Sequence, residues 1–340
     1  MADEMKQIIL DQHKQLTRSI EVNKEVKIEG DFDSIVLAGM GGSGHPGDLL
    51  NALGVPKLPL FVHRNYDLPI KYLSHMGLSK PLIIISSYSG NTEEALSAYK
   101  IAQEHSLPIA ISSSGGTLEE WAIRDKAPFS RIDFTGMQPR HTLLAAFTGI
   151  TVALINSGLA DDISEDIKDT AKFVEKITPE LEEPAKKLVA KIKDRIPVFN
   201  STDTLGFAAK NFKIQTNENA KYPAFWNTFP ELNHNELVGF SKLKEMDNPN
   251  KFIAIFINDA EDHPRNKVRM EATTNLYKDW GVEVENINVV GESTMQKVFY
   301  TVTLGLWTSY YLALEYGIDP VPVDGVESFK SKLEEAAGSI

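Results

Sequence analysis

The stretch LIIISSYSGNTEEALSAYKIAQ runs from Leu82 to Gln103. Its first part, LIIIS, is a short apolar run bounded by polar residues, which reads as a buried strand. Its last part continues as TEEALSAYKIAQEHS (Thr92–Ser106), which carries helical periodicity. Between them five hydroxyl side chains fall within seven positions: Ser86, Ser87, Tyr88, Ser89 and Thr92. Helix capping accounts for one or two of these polar residues. Asn91 or Ser89 can accept from the free N–H groups of the first turn, and Glu94 stands three residues after Asn91, as in a capping box. Capping does not account for the rest. Hydroxyls beside the bare N–H groups of a helix N-terminus form a site for a phosphate group.

The same strand–loop–helix pattern recurs on both sides. SIVLAGM (Ser34–Met40), LPLFVHR (Leu58–Arg64) and PIAISSS (Pro108–Ser114) read as further strands, with helices at GDLLNAL and TLEEWAIR. Continuous apolar strands alternating with helices imply an α/β fold with a parallel sheet covered on both faces. HTLLAAFTGITVALINSGL (His141–Leu159) reads as a buried helix ending near Gly158. Residues 161–193 read as two amphipathic helices split near Pro179 and Pro184, and as the junction between domains. Beyond it the pattern repeats: RIPVFNST as a strand followed by a helix running into KNFKIQTNENAK, KFIAIFIND and VEVENINV as strands, NKVRMEATTNLYKDWG as a helix, and a long helix over Ser293–Tyr316. The second copy has NDAEDHPRNK where the first has SSYSGNTEE, so the halves are alike in wiring and different in chemistry.

Two more loops of the first half resemble the opening one. GMGGSGHPGD (Gly39–Asp48) follows the first strand, and Gly39, Gly41 and Gly44 fit the dinucleotide pattern G-x-G-x-x-G. That pattern expects an acid at the end of the second strand to hold a ribose. Here the strand ends in VHRN, with Asp67 only afterwards. The alternatives are a tight strand–helix turn, or an anion approached by the backbone at Gly41, Gly42 and Gly44 with Ser43 as an added donor. SSSGGTLEE (Ser112–Glu120) is the third such loop. The carboxyl ends of parallel strands are where open α/β sheets bind ligands. Together the three loops outline a pocket for one small phosphorylated, hydroxyl-rich molecule.

Composition limits what else the chain does. The net charge of −12 argues against general binding to nucleic acid or to anionic membranes, so an anionic ligand needs local donors. Arg140, in GMQPRHTL, is one such donor. With no cysteine there is neither disulfide nor thiolate chemistry, which fits a cytoplasmic location. No run of about 18 apolar residues is available to span a membrane, and MADEMKQIIL lacks an apolar signal region. No set of histidine and carboxylate residues has metal-ligand spacing, and no cofactor is expected. Asp262 and Glu261 beside His263 come nearest, and read as an exposed loop.

The oddest stretch is TNENAKYPAFWNTFPELNHNELVGF (Thr216–Phe240), aromatic, broken by prolines and full of amides. It reads as a long irregular segment, of the kind that is either an interface loop or functional. Glu218 and His234 are natural proton-transfer groups within it, with Glu231 and Glu236 close by. The tail after Gly317 passes two prolines and starts a short helix carrying Lys330.

GMGGSG, SYSGNTEE and SSGG in one half, with NENAK and PELNHNE in the other, resemble the bifunctional phosphoglucose/phosphomannose isomerases, built from sugar isomerase (SIS) domains. The resemblance covers about Ile35 to Lys332. It implies two SIS domains, each a parallel sheet between helices: residues 1–160 with the phosphate loops and 194–320, joined by the helical junction 161–193 and followed by a tail helix in 321–340. It implies phosphate binding by Ser43, Ser87, Ser89 and Thr92, next to Gly42. It implies Glu218 as base, His234 for ring opening, and Arg140 and a C-terminal lysine, matched best by Lys330 with Lys332 close by. It implies a homodimer whose active sites are shared between subunits. His45 and Pro46 stand where apolar residues are expected.

That chemistry interconverts glucose 6-phosphate and mannose 6-phosphate with fructose 6-phosphate through a cis-enediolate. Two other SIS roles are disfavoured by the sequence. A sugar-phosphate sensor usually carries a DNA-binding segment, and no basic helix-turn-helix is present. An aminotransferring enzyme needs an ammonia-generating domain, for which the chain has no room.

Overall fold

The structure, a computed structural model, describes residues 2–246 and 249–337; Met1 and residues 338–340 of the expected tail lie outside them. The chain divides into two compact units. One comprises Leu10–Ile177 with Glu292–Gln296; the other comprises Met1–Ile9, Thr178–Gly291 and Lys297–Ile340. In chain order the strands are β1 (Ser34–Ala38), β2 (Leu60–His63), β3 (Pro81–Ser86), β4 (Ile109–Ser113), β5 (Phe129–Arg131), β6 (Ile196–Thr202), β7 (Phe225–Phe229), β8 (Phe252–Asn258) and β9 (Glu283–Asn288). The helices are α1 (Ala2–Asn23), α2 (His45–Ala52), α3 (Ile70–His75), α4 (Glu93–Glu104), α5 (Thr117–Asp125), α6 (Leu143–Asn156), α7 (Ser164–Glu180), α8 (Glu182–Ile192), α9 (Gly206–Asn219), α10 (Glu236–Phe240), α11 (Pro264–Asp279), α12 (Thr294–Glu315) and α13 (Asp324–Ala337).

The first sheet has the order β2-β1-β3-β4-β5, and every neighbouring pair is parallel. All residues of β1 and β3 are buried, as strands covered on both faces require. Alternate residues serve alternate faces. Val36, Ala38, Ile83, Ile85 and Ile111 pack with Ala95, Ala98, Tyr99 and Ala102 of α4. Those four helix positions are spaced three and four apart, and the small alanines let the helix lie close to the strands. On α2, Gly47 meets Leu37 and Val62. α6 is buried from Leu143 to Leu154, and its chain leaves through Gly158 at φ 72°, a left-handed residue just past the last turn. The split expected between Pro179 and Pro184 falls at Leu181, with Pro179 inside α7 and Pro184 in the first turn of α8.

The second sheet has the order β7-β6-β8-β9, again parallel throughout. Its first three strands thus follow the 2-1-3 wiring of the first sheet. The expected irregular segment is largely regular. Its first residues finish α9, Phe225–Phe229 form the edge strand β7, and a 3-10 turn (Glu231–His234) leads into α10. The strand signal is faint because β7 is an edge: Phe225 and Trp226 are exposed, and prolines 223 and 230 flank it. α1 carries no expectation at all. Its buried stripe includes Gln12, Gln15, Ser19 and Asn23, which hides the apolar period. Gln15 donates to the His141 carbonyl (2.7 Å) and accepts from the Ala145 amide (3.1 Å), so its own side chain is satisfied at the start of α6. Among the described residues no helix is long and apolar enough to cross a membrane.

The carboxyl ends of β6 and β8 hold charge in place of a serine loop. Lys297 of α12 is buried and contacts both oxygens of buried Asp259 (2.8 and 3.1 Å) and Glu261 (2.6 Å). Burial alone would lower the Lys297 ammonium; its bonds to Asp259 and Glu261 outweigh this and hold it above its ordinary value. Asp262, expected on an exposed loop, is buried and accepts from Thr202 (2.6 Å), and burial pushes its carboxyl up. His263 is exposed, as expected, and its ring caps α11 by accepting from the Arg265 amide. Removing one partner of a buried pair leaves the other uncompensated. Lys297→Met is therefore expected to cost about 3–5 kcal/mol in chemical denaturation. Asp259→Asn in the same chain should recover part of that loss. Equal stability of wild type and Lys297→Met would mean the pair is not buried in solution.

Candidate active site

Parallel pairing sends the loops after β1, β3 and β4 to one edge of the first sheet, and these strands are neighbours. The chain winds outward in both directions from β1 and β3, so the crevice at their carboxyl ends is the switch point where doubly wound sheets bind ligands. Gly39–Gly44 occupies one side as a 3-10 turn over Gly41–Ser43 that runs into α2. His45 and Pro46 are buried in the start of that helix.

Tyr88, at the centre of the β3 loop, joins all the surrounding segments. Its amide donates to the Ser43 hydroxyl (3.0 Å) in the loop after β1. Its carbonyl accepts from the Ser114 hydroxyl (2.6 Å) and the Ser114 amide (3.0 Å) in the loop after β4. Its phenol donates to the Phe134 carbonyl (2.8 Å) and accepts from the Met137 amide (3.0 Å), fixing the segment that leads to Arg140. Of the expected phosphate residues, Ser87 and Thr92 share a hydrogen bond (2.9 Å), and Ser89 is exposed and accepts from the Asn91 amide (3.2 Å). Because the Ser43 oxygen accepts from Tyr88, its hydrogen is directed elsewhere.

Close backbone contact requires glycine at several positions of these loops, Gly90 and Gly42 among them. A Cβ on Gly90, which has φ 70°, would stand 1.8 Å from the Gly115 carbonyl oxygen. A Cβ on Gly42 would stand 2.8 Å from the Arg140 amide nitrogen, so the backbone of the loop after β1 lies directly on the turn that carries buried Arg140. The expected capping box does not form. Thr92 stands at the N-cap of α4 with no side-chain bond to the helix, and Asn91 accepts from the Thr117 amide, at the start of α5 (3.0 Å). Asn91 therefore caps a neighbouring helix and leaves the start of α4 to other acceptors.

The remaining expected residues belong to the other unit. Glu218 lies half-buried in the last turn of α9. His234 is exposed at the end of the 3-10 turn after β7. Lys330 is exposed on α13 and pairs with Glu327 one turn earlier (2.9 Å); Lys332 is exposed as well. Among the described residues, no group of three or more His, Cys, Asp or Glu is arranged to hold a metal ion. Tyr88 is the residue that reading by motif passes over. It stands in the sequence only as one hydroxyl among five, and its role depends on three segments far away in the chain.

Two doubly wound parallel sheets, one with serine- and glycine-rich loops at its switch point, define the SIS class of α/β protein. The family described as bacterial phospho-glucose isomerase C-terminal SIS domain matches residues 181–333. The chain is 36% identical to a bifunctional phosphoglucose/phosphomannose isomerase of Caldicellulosiruptor bescii, over 95% of this chain and 96% of that protein. It is 33% identical to a D-glucosamine-6-phosphate 4-epimerase of Sulfolobus acidocaldarius, over 72% of each. Among solved structures, a hypothetical protein from Thermus thermophilus shares the fold at a TM-score of 0.74 and 17% identity, covering 97% of this chain and 89% of that one. The chain belongs to the bifunctional phosphoglucose/phosphomannose isomerase family.

The Tyr88 contacts lead to a direct test. Tyr88→Phe keeps the backbone bonds to Ser43 and Ser114 and removes both phenol bonds. Amide hydrogen exchange at Met137 should accelerate about tenfold or more, as loss of one hydrogen bond worth about 1.5 kcal/mol implies. Exchange at the Tyr88 amide should stay as in wild type. Unchanged protection at Met137 would show that the phenol does not hold this segment.

Proposed function

We propose that the chain is a metal-independent aldose–ketose isomerase that interconverts glucose 6-phosphate and mannose 6-phosphate with fructose 6-phosphate. The observation that carries this reading is the convergence on Tyr88 of three hydroxyl- and glycine-bearing loops at one switch point, with Arg140 packed behind them. An acidic chain that binds an anion needs such a local concentration of donors. In this reading Ser43, Ser87, Ser89 and Thr92, with the backbone at Gly42, hold the sugar phosphate. The domains follow the boundaries 1–160, 161–193 and 194–320 with a tail in 321–340, and the protein acts as a cytoplasmic homodimer.

The reaction needs ring opening and then a proton shift. His234 moves a proton from the anomeric hydroxyl to the ring oxygen, releasing the open-chain aldose. Glu218 takes the proton from C2, and the electron pair forms the C1–C2 double bond of a cis-enediolate. The same carboxyl returns the proton to C1, while the O2 proton is given up and O1 is protonated, leaving the ketone at C2. A base that reaches C2 of either epimer handles glucose and mannose substrates alike. Arg140, whose guanidinium is always charged, stabilises the enediolate oxygens where water is excluded. Lys330 supplies the second cation. The hydroxyl loops fix the phosphate and so the distance from C1 and C2 to the base.

Glu218→Gln should lower kcat by about a hundred- to ten-thousandfold, the usual contribution of a general base, with little change in KM. Ser89→Ala and Thr92→Ala should mainly raise KM. Formation of fructose 6-phosphate from each aldose phosphate is the measurement, and it also separates isomerisation from epimerisation of an amino sugar. Wild-type turnover in Glu218→Gln would remove Glu218 from the role of base.

Sharing of the site between subunits has its own test. In the dimer we propose, His234 serves the partner's site and Glu218 its own chain's site. Glu218→Gln and His234→Ala should each be nearly inactive alone. Co-refolded, about half the dimers are mixed, and each has one intact site of two, so activity should return to roughly a quarter of wild type. Mixed dimers that form and stay inactive would place both residues in one chain's site.

A further inference from the structure

The turn that carries His234 is held more firmly than an exposed 3-10 turn requires. Both neighbours of His234 are anchored through their side chains. Asn233 donates to Thr273 of α11 (2.8 Å), and Asn235 donates to Glu231 (2.7 Å) while its oxygen caps the amide of Glu236. Leu232, one residue further back, is fully buried in the aromatic cluster of Phe229, Phe240 and Tyr277. His234 itself is exposed between these fixed points.

Glu236 closes the arrangement. One carboxylate oxygen accepts from Asn227 of β7 (3.0 Å). The Asn227 carbonyl oxygen is already taken by the Thr228 amide (2.8 Å), so its NH2 group is the end that faces Glu236. β7 pairs with β6 through the sheet, with Asn227 opposite Asn200, so Asn227 is a rigid anchor. The other Glu236 oxygen is buried without a hydrogen-bond partner, and so is the phenol oxygen of Tyr277. Tyr277 stacks on Phe240, with ring centroids 4.8 Å apart. Burial pushes the Glu236 carboxyl up, and the carboxylate in turn raises the Tyr277 phenol beyond what burial alone does. A carboxylate half-paired beside aromatic rings costs stability. An apolar side chain would fill the same space without that cost, but could not hold Asn227.

We propose that Glu236 is a positioning residue for His234: through Asn227 it locks the His234 turn to the edge strand β7. This rests on the reading of His234 as the ring-opening group, and deepens it. An imidazole that must meet both the ring oxygen and the anomeric hydroxyl tolerates little displacement. A misplacement of about 1 Å is enough to lose about a hundredfold in rate. The clamp holds the imidazole still while leaving it exposed to substrate.

The test is steady-state isomerisation of glucose 6-phosphate by the full-length protein carrying Glu236→Ala, Glu236→Gln, Asn227→Ala or Glu236→Ala with Asn227→Ala. Glu236→Ala should lower kcat by about ten- to a hundredfold with KM within about twofold, because the phosphate loops are untouched. Glu236→Gln keeps an acceptor for Asn227 and should restore kcat to within about threefold of wild type. Asn227→Ala should match Glu236→Ala, and the double variant should be no slower than the slower single one, since both break one interaction. If Glu236→Ala fails to fold, Asn227→Ala, on the edge strand, carries the test alone. Wild-type kcat in Glu236→Ala or Asn227→Ala, losses that multiply in the double variant, or losses confined to KM would overturn the proposal. His234→Ala is the control: if it keeps wild-type turnover, the role of His234 fails, whatever Glu236 does.

Discussion

One tyrosine connects the segments of the candidate site. Parallel pairing brings the carboxyl ends of β1, β3 and β4 to a common edge, but it does not fix the loops that leave them. Tyr88 fixes them, with its amide on Ser43, its carbonyl on Ser114 and its phenol on the segment before Arg140. Each bond satisfies a backbone group that would otherwise be partly buried and unpaired, so the loops hold one another in place. The close approach that results leaves no room for a side chain at Gly90 or Gly42. Of the residues crowded at the end of β3, Tyr88 thus holds the loops together, while Ser87 and Thr92 bond each other and Ser89 is exposed.

The two sheets show how little wiring alone says about chemistry. Both place their second strand outside the first and their third strand inside, and both have a switch point between those inner strands. In the first sheet that point is lined with serines and glycines. In the second it is filled by Lys297 with Asp259 and Glu261, and by Asp262 on Thr202. Two carboxylates pair with the one buried ammonium there, so it has no cation left over for a phosphate. The residues proposed to transfer protons, Glu218 and His234, lie away from that switch point, on the last turn of α9 and on the turn after β7. In the proposed function Glu236 and Asn227, bonded to each other, belong to the positioning of His234.

β1 to β4, β6, β8 and β9 and the serine- and glycine-rich loops after β1, β3 and β4 were legible along the chain, because each is encoded by neighbouring residues. LIIIS and KFIAIFIND are buried on both faces, so their apolar runs are continuous, and local glycines and serines mark where they end. α1 and β7 were not legible. Glutamine, serine and asparagine replace apolar residues in the buried stripe of α1, and β7 is an edge with exposed aromatic rings. The capping box at Asn91 was a sound local expectation overruled from a distance: the amide at the start of α5 competes for the same side chain and wins.

The sequence by itself determined the α/β class, the repeat of wiring in its two halves, and which loops are rich in anion donors, because these follow from the periodicity and composition of contiguous residues. It singled out Glu218, His234 and Arg140 as chemically capable groups without saying what holds them. Only the tertiary structure decided that Tyr88 is the junction of the loops after β1, β3 and β4, that Asn91 caps a neighbouring helix, that Arg140 lies against Gly42, and that Asp259 and Lys297 pair at the second switch point. The physical reason is separation in sequence. Each of these contacts joins residues roughly 25 to 100 positions apart, and no local pattern records a hydrogen bond or a close approach whose partner is supplied by another element.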